Sequence, residues 1–280
     1  MPAVDRDTGL GTTYERLAVA MMLERFAERY QVQSVLEGPS DGITGIRGLN
    51  SIPLAQAGAA VELLLGDPDE VALAENIWGS LNLADRVKIR HAPDGTLGVA
   101  PRSFDLVWNF NAVPQVSDPG RLIEEMCSAS RRFVMLYVSN TLNYGFSIHR
   151  LHHVAAREPW SHGEIAAMNT GMIAGHLDRQ GFRVIERTVV DTPWWPDIDS
   201  PIEEVAATFL PFLKRFVSAS KRLEHYTWRA DSLPYFDADR RAELLNEIGK
   251  HFAIERARFF PLRILFAHHR GIIAVRKDES

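Results

Sequence analysis

Four stretches of the chain carry side chains whose type and spacing could do chemistry. VLEGPSDGITG, beginning at Val35, sets Glu37 at the end of an apolar run and follows it with Gly38, Asp41, Gly42 and Gly45. A pyrophosphate would want unobstructed backbone N–H groups at a helix start, usually as GxGxxG, and the carboxylates here repel it. A carboxylate at a strand tip instead suits a cation such as the amino group of an amino-acid moiety, while the glycines also serve simply to turn the chain. VELLLGDPDE then places Asp67 and Pro68 some 30 residues after Glu37, where an acid can accept both hydroxyls of a ribose. Asp-Pro is equally suited to begin a helix, so Asp67 has a capping role open to it as well.

The third stretch, TLNYGFSIHRLHHVAAREPWSHG, holds His149, His152, His153 and His162 in what reads as a loop. His149, His153 and His162 are candidates for acid–base work. His149 and His153 also have the i, i+4 spacing that can chelate a metal with Asp191 as a carboxylate ligand, but no HExxH-like signature is present and no metal is expected. The fourth stretch, DTPWWPDID, sets Trp194 and Trp195 between prolines, either as an aromatic wall for a substrate amine or as packing for a cap. Asp191, Trp194 and Trp195 are therefore the substrate-side candidates. His268 and His269, ahead of the last strand pattern, read as structural, and Cys127, the only cysteine, reads as packing and excludes an intrachain disulfide.

The elements that must position these groups follow from periodicity. Thr12 stands three residues before Glu15, a capping-box spacing, and Val19, Met22, Leu23, Phe26 and Tyr30 continue at a helical period. From Val35 to Asn140, apolar runs (SVLEG, AVELLLGD, VKIRHA, FDLVWNF, RFVMLYVSN) alternate with helical segments (PLAQA, DEVALAENIW, GRLIEEMCSA). Continuous aliphatic runs mean strands covered on both faces, and the alternation implies right-handed crossovers into a parallel sheet. A helix is expected through Ile165, Met168, Met172 and Ile173, ending at Gly181, followed by the strand FRVIERTVVD. A segment dense in proline and aromatics precedes the closing LRILFAHHRGIIAVRK, with helical patterns at IEEVAATFLPFLKRF and at Leu244, Leu245, Ile248 and Phe252. The chain divides into a core with its N-terminal helix (1–191), a helical cap or substrate-binding insertion (192–260) and a final core strand (261–280). Phe209, Phe212, Phe216, Tyr226, Trp228, Tyr235 and Phe236 make that cap apolar enough for an aromatic or lipid-like acceptor, although core packing accounts for most of them.

A chain of 280 residues with 46% hydrophobic and 24% charged residues can bury a substantial core. The formal net charge of -5 gives no broad attraction for nucleic acid, and no apolar run reaches the length of a membrane span. A cytoplasmic protein acting on a small molecule is expected, with homo-oligomer assembly left open.

Taken in order, these motifs resemble those of the class I methyltransferases that use S-adenosylmethionine. VLEGPSDGITG resembles the first motif, VELLLGDPDE the second and FDLVWNFNAV the motif on the fourth core strand. The resemblance implies a Rossmann-like α/β fold: a seven-stranded, mostly parallel sheet with helices on both faces and a helical cap inserted before the last strand. It also implies S-adenosylmethionine as cofactor, with Glu37, Gly38 and Gly42 at its amino-acid part, Asp67 and Pro68 at the ribose and Ala92 to Asp94 at the adenine. Asn109, Phe110 and Asn111 would line the sulfonium region, and Tyr14 would close over the pocket. Pro39 and Asp41 stand where the family usually has glycine. A noncatalytic binding protein that kept the fold, or a nucleotide- or NAD-dependent enzyme on a similar one, are the alternatives.

Overall fold

The computed structural model describes residues 4–40, 45–195 and 224–279. A short strand β1 (Arg6–Thr8) leads into the long helix α1 (Gly9–Tyr30), and the sheet follows: β2 (Ser34–Glu37), β3 (Ala60–Leu65), β4 (Val87–His91), β5 (Phe104–Phe110) and β6 (Ser130–Ser139). Between them run α2 (Ile52–Gln56), α3 (Pro68–Ser80) and α4 (Pro119–Ala129). Beyond lie α5 (Tyr144–Ala156), α6 (Thr170–Arg179), β7 (Phe182–Val190), β8 (Thr227–Arg229), α7 (Ala238–Ile248), α8 (Phe260–Phe266) and β9 (His269–Arg276).

Seven strands form one sheet in the order β4-β3-β2-β5-β6-β9-β7. β2 pairs in parallel with both β3 and β5, and β9 runs antiparallel between β6 and β7. The expected fold class is thus observed, with the antiparallel strand last in sequence and the cap inserted before it. Alternation along each strand divides the sheet into two cores. Val35, Leu63, Leu65, Leu106, Trp108 and Met135 face α1, α2, α3 and α7, whereas Leu36, Leu64, Val107, Val134 and Leu136 face α4, α5 and α6. A strand buried on both faces has no polar side to show, which is why these strands read as unbroken apolar runs.

Three local expectations differ from what forms. Thr12 and Glu15 make no capping box: α1 begins at Gly9, and the Thr12 hydroxyl donates back to Thr8 O at 3.0 Å inside the helix. Most of the histidine-rich stretch, with His149, His152 and His153, is the helix α5, started by Asn143, whose side chain accepts from Gly145 N; only the part with His162 is the expected loop. The single helix expected through Ile165 and Ile173 is broken into a 3₁₀ turn (Ile165–Met168) and α6, because the Asn169 carboxamide caps Gly171 N and Met172 N and restarts the chain. The cap also contributes β8, which pairs antiparallel with β1. The helical pattern at IEEVAATFLPFLKRF, with Phe209, Phe212 and Phe216, lies outside the described residues. Of the other cap aromatics, Tyr235 is buried, and Tyr226, Trp228 and Phe236 pack partly buried against the core.

A buried ion pair pins the N-terminal segment to the first turn of the sheet. Arg16 Nε lies 2.9 Å from Asp7 Oδ2, and its Nη1 donates to Asn50 Oδ1 at 3.0 Å. Asp7 Oδ1 accepts from Ile46 N at 2.8 Å, and Arg16 also donates to Ile46 O. Both charged side chains are almost wholly removed from water, where the fork geometry and the additional hydrogen bonds offset desolvation. Replacing Arg16 by methionine would leave Asp7 as an uncompensated buried charge. Urea unfolding should show a loss of about 3–5 kcal/mol, with much of it recovered when Asp7→Asn is added; a loss under about 1 kcal/mol would mean that the pair behaves as a surface salt bridge.

Candidate active site

The carboxyl ends of the parallel strands, the amino end of β9 and the cap converge on one edge of the sheet. In open parallel α/β sheets ligands bind beyond this edge, where strand order reverses, which here is the junction of β2 with β5. Glu37 is at the tip of β2, but its side chain turns inward: Oε1 accepts from the Ser40 hydroxyl at 2.6 Å, and Oε2 accepts from Ser51 N at 3.1 Å and the Ser51 hydroxyl at 2.5 Å. Burial pushes the Glu37 carboxyl above its ordinary range, against the lowering effect of these hydrogen bonds. The turn itself is tied down by its backbone, since Gly38 N donates to Trp108 O (3.1 Å) and Ser40 N to Leu64 O (3.0 Å). Gly38 is required by close approach: a Cβ there would sit 2.7 Å from Leu64 Cδ1. The Gly38–Pro39 peptide is cis. Gly42 and Asp41 lie outside the described residues.

At the tip of β3, Asp67 begins α3 by accepting from Asp69 N at 2.8 Å through Oδ1 with Pro68 in the first turn. Among the described residues its Oδ2 has no hydrogen-bond partner, so capping and ligand binding are compatible. Ala92 is buried after β4, and Asp94 is exposed and accepts from Thr96 N and its hydroxyl, which holds its carboxyl below the ordinary range. At the end of β5, the Asn109 side chain donates to Met126 Sδ, and its buried Oδ1 has no hydrogen-bond partner among the described residues. Phe110 is buried. Asn111 adopts φ 54° and clamps β6 through Oδ1, which accepts from Ser139 N and its hydroxyl.

The cap closes over the α1 side of this edge. Tyr14 is fully buried, stacked on Phe252 with centroids 4.1 Å apart and edge-on to Trp195 at 5.5 Å. Burial, with Glu255 and Asp191 nearby, pushes its phenol well above the ordinary value. Its hydroxyl donates to Glu255 Oε2 at 3.4 Å, an oxygen that also accepts from Thr192 N and the Thr192 hydroxyl at 2.8 Å each. Trp194 is exposed and its indole N–H donates to His251 Nδ1 at 3.1 Å. The two tryptophans therefore divide: Trp195 packs, whereas Trp194 remains open to solvent.

Asp191 does not join His149 and His153. Its Oδ2 lies 2.8 Å from His268 Nδ1, and His268 Nε2 lies 3.2 Å from Trp195 O. An oxygen acceptor at each ring nitrogen suits a ring that donates from both, balanced by Asp191. His269 is buried beside it, with Nδ1 3.8 Å from Asp191 Oδ2 and 3.9 Å from Glu15 Oε1 and its ring 4.4 Å from that of Phe110. Burial lowers His269 to about 4, so the imidazole is neutral near pH 7 and carries a lone pair. Glu15 and Glu255 were not among the candidate residues, and His268 and His269 were read as structural; the structure brings Glu15, Asp191 and His269 together. The only signal was the doublet His268–His269 at the mouth of an apolar strand.

His149, His153 and His162, the acid–base candidates, are brought together with one another and with Trp160. His153 Nε2 lies 3.2 Å from His149 Nε2 and 3.1 Å from His162 Nε2, and the Trp160 ring centroid lies 4.9–5.5 Å from those of the three rings.

The fold has solved counterparts. Magnesium protoporphyrin IX methyltransferase (ChlM) of Synechocystis PCC 6803, crystallised with bound SAH, superposes with a TM-score of 0.51 at 15% identity, over 92% of this chain and 81% of that one. A putative methyltransferase of Bacillus halodurans C-125 gives 0.51 at 12% identity, over 92% and 98%. The [4+2]-cyclase SpnF gives 0.50 at 15% identity, over 92% and 80%. No protein-family model matches the chain, and no curated protein matches its sequence. The chain therefore has the fold of the class I S-adenosylmethionine-dependent methyltransferases. No described helix is long and apolar enough to cross a membrane.

The raised Glu37 carboxyl has a consequence for stability. Between the ordinary carboxylate range and its higher folded value, the native state holds a proton that the unfolded chain has released, so stability falls as pH rises through that window. Glu37→Gln cannot ionise and keeps an acceptor for Ser51. The stability of the variant relative to the wild type should therefore increase as pH rises above the ordinary carboxylate range in denaturant titrations. A difference that stays flat would show that Glu37 does not titrate differently in the folded state.

Proposed function

We propose that the protein transfers a methyl group from S-adenosylmethionine to a small-molecule acceptor. What supports this reading most directly is Asp67, at the tip of the strand next to β2 in a sheet of this order, with one carboxylate oxygen spent on its helix and the other without a partner among the described residues. The nucleoside end of the cofactor fits the residues present: Asp67 and Pro68 for the ribose, Ala92 and Asp94 for the adenine. The unpartnered Asn109 Oδ1, with Phe110 and Asn111, suits the sulfonium region. The amino-acid end fits less well at Glu37, whose oxygens are occupied by Ser40 and Ser51, so recognition there falls to other groups around Gly38 and Gly42.

When bound, S-adenosylmethionine supplies an electrophilic methyl group on a sulfonium that loses its positive charge as the acceptor attacks. The chain's own task is alignment and exclusion of water. Tyr14, Trp195 and Phe252 form an apolar wall on the cap side, and Asp67 fixes the nucleoside. Where the acceptor must lose a proton, His269 is the better placed base, because its ring lies against Phe110 at the end of β5. The rings of His149, His153 and His162 turn their Nε2 atoms toward one another instead. A cytoplasmic, small-molecule setting without nucleic acid accords with the acidic net charge.

The inward turn of Glu37 favours a second reading, in which the fold is retained without methyl transfer. Isothermal titration separates the two. S-adenosylmethionine and its demethylated product should bind in the submicromolar to micromolar range and NAD should not; no binding of either sulfur nucleoside would leave only the second reading. Asp67→Ala should weaken S-adenosylmethionine by about 1.5–3 kcal/mol, the worth of hydrogen bonds to a charged group, and unchanged affinity in a folded variant would remove Asp67 from the ribose.

A further inference from the structure

The structure assigns a divalent transition-metal site, of the zinc type, to His149, His153 and His162, independent of any methyl transfer. The geometry comes from two separate pieces of chain. His149 and His153 stand one turn apart on a single face of α5. The helix then ends at Arg157, which takes a left-handed conformation (φ 59°), and Glu158 N returns to His153 O at 2.9 Å, so the chain doubles back. It brings His162 over the same face. There the loop is held by contacts that do not involve the three rings: Trp160 Nε1 donates to Gly163 O at 2.9 Å, and Glu164 N donates to Pro114 O at 2.7 Å. Gly163 itself (φ 85°) approaches Pro114 so closely that a Cβ would lie 2.7 Å from Pro114 O. His162 is therefore pre-positioned by the loop.

Three imidazole Nε2 atoms converge as a result. His153 Nε2 is 3.2 Å from that of His149 and 3.1 Å from that of His162, and the ligand atoms of all three lie within 4.8 Å of one another. Tetrahedral zinc with Zn–N near 2.0–2.1 Å sets its nitrogen ligands about 3.3 Å apart. Hydrogen bonding alone satisfies this arrangement poorly. The single in-plane position on His153 Nε2 can carry one hydrogen or accept one, and it faces two other ring nitrogens. One cation in their midst takes a lone pair from each ring. His149 is buried and the other two are half-buried under Trp160, which limits water around the group. Neutral imidazoles without thiolate suit zinc and its neighbours rather than calcium or magnesium. Three histidines from a helix and a loop leave a fourth position for water or an exogenous ligand. The i, i+4 pair was visible in the sequence; its partner proves to be His162, not Asp191, which is engaged by His268.

The test uses the full chain, stripped with a chelator and titrated with Zn²⁺ against a chromophoric competitor, and with Co²⁺ read by its visible absorption. About one Zn²⁺ per chain should bind, and Co²⁺ should give the intense visible bands of a four-coordinate site. His153→Ala and His162→Ala should each weaken Zn²⁺ by more than the roughly 10–100-fold typical of losing a group outside the ligand set. His162→Gln, in the loop, guards against a variant that fails to fold, which circular dichroism of the metal-free protein would reveal. His225→Ala should bind as the wild type does, as should His269→Gln, which alters the separate group of Glu15, Asp191 and His269. The assignment is overturned if the wild type takes up no Zn²⁺ beyond what free imidazole at the same concentration explains, or if folded His153→Ala and His162→Ala variants bind Zn²⁺ as tightly as the wild type and His225→Ala do.

Discussion

A carboxylate buried at the tip of the central strand constrains everything around it. Glu37 cannot lie in an apolar interior without donors, and the chain supplies three, from the Ser40 hydroxyl and from the N–H and hydroxyl of Ser51. Meeting that demand requires the loop after β2 to curl back over its own strand, and the loop is then stitched further. Trp108 Nε1 donates to Ser51 Oγ at 2.9 Å, Trp78 Nε1 donates to Gly48 O at 2.9 Å, and Asp7 with Arg16 captures Ile46 and Asn50. The described residues of the first turn thus join β2, β5, α1 and α3. Its backbone N–H groups at Gly38 and Ser40 are already spent on strand carbonyls, so neither is left for an anion.

The buried charges on the cap side follow a related logic. Asp191, His268, His269, Glu15 and Glu255 are gathered beside the ends of β7 and β9, and His269 Nδ1, 3.8 Å from Asp191 Oδ2, makes no hydrogen bond among the described residues. Asp191 faces His268, and Glu255 takes both donors of Thr192 as well as the phenol of Tyr14. The result is a row of groups with displaced ionisation, Tyr14 and Glu255 upward and His269 downward, burial being the main cause for each. Displaced ionisation in a cleft is where acid–base chemistry is looked for, although structural networks shift groups in the same way. Asp7 with Arg16 shows how much buried charge this chain uses for architecture alone.

What was legible in the sequence was the sheet. β2, β3, β5 and β6 announce themselves because a strand covered on both faces must be apolar throughout, α3 because Asp67 caps it at the expected place, and α4 by the helical pattern GRLIEEMCSA. The helical identity of α5 was hidden by histidines and an asparagine, residue types shared by loops and helix starts, so only the Asn143 cap in three dimensions decides it. Asn169 broke an otherwise regular helical period with one side chain. The site was legible only where it is local: Asp67 belongs to its own strand–helix junction, whereas Glu15 meets His269 across more than 250 residues and Thr192 meets Glu255 across the cap. Long-range partners of this kind leave no trace in spacing.

Fold and chemistry separate at this edge of the sheet, since one architecture accommodates several reactions through its turns and insertions. In this chain the two halves of the edge differ in character. On the β3 and β4 side the groups are single and open: Asp67 keeps a free oxygen and Asp94 is in solvent. On the β6, β9 and β7 side they are multiple, buried and close to one another. A ligand lying across both would meet adaptable hydrogen bonding at its polar end and a rigid, water-poor wall of Tyr14, Trp195 and Phe252 at the other. Selectivity for whatever reacts must then arise on the capped side, because opening any one buried contact there exposes charges that depend on their neighbours, whereas the open side can bind without rearrangement.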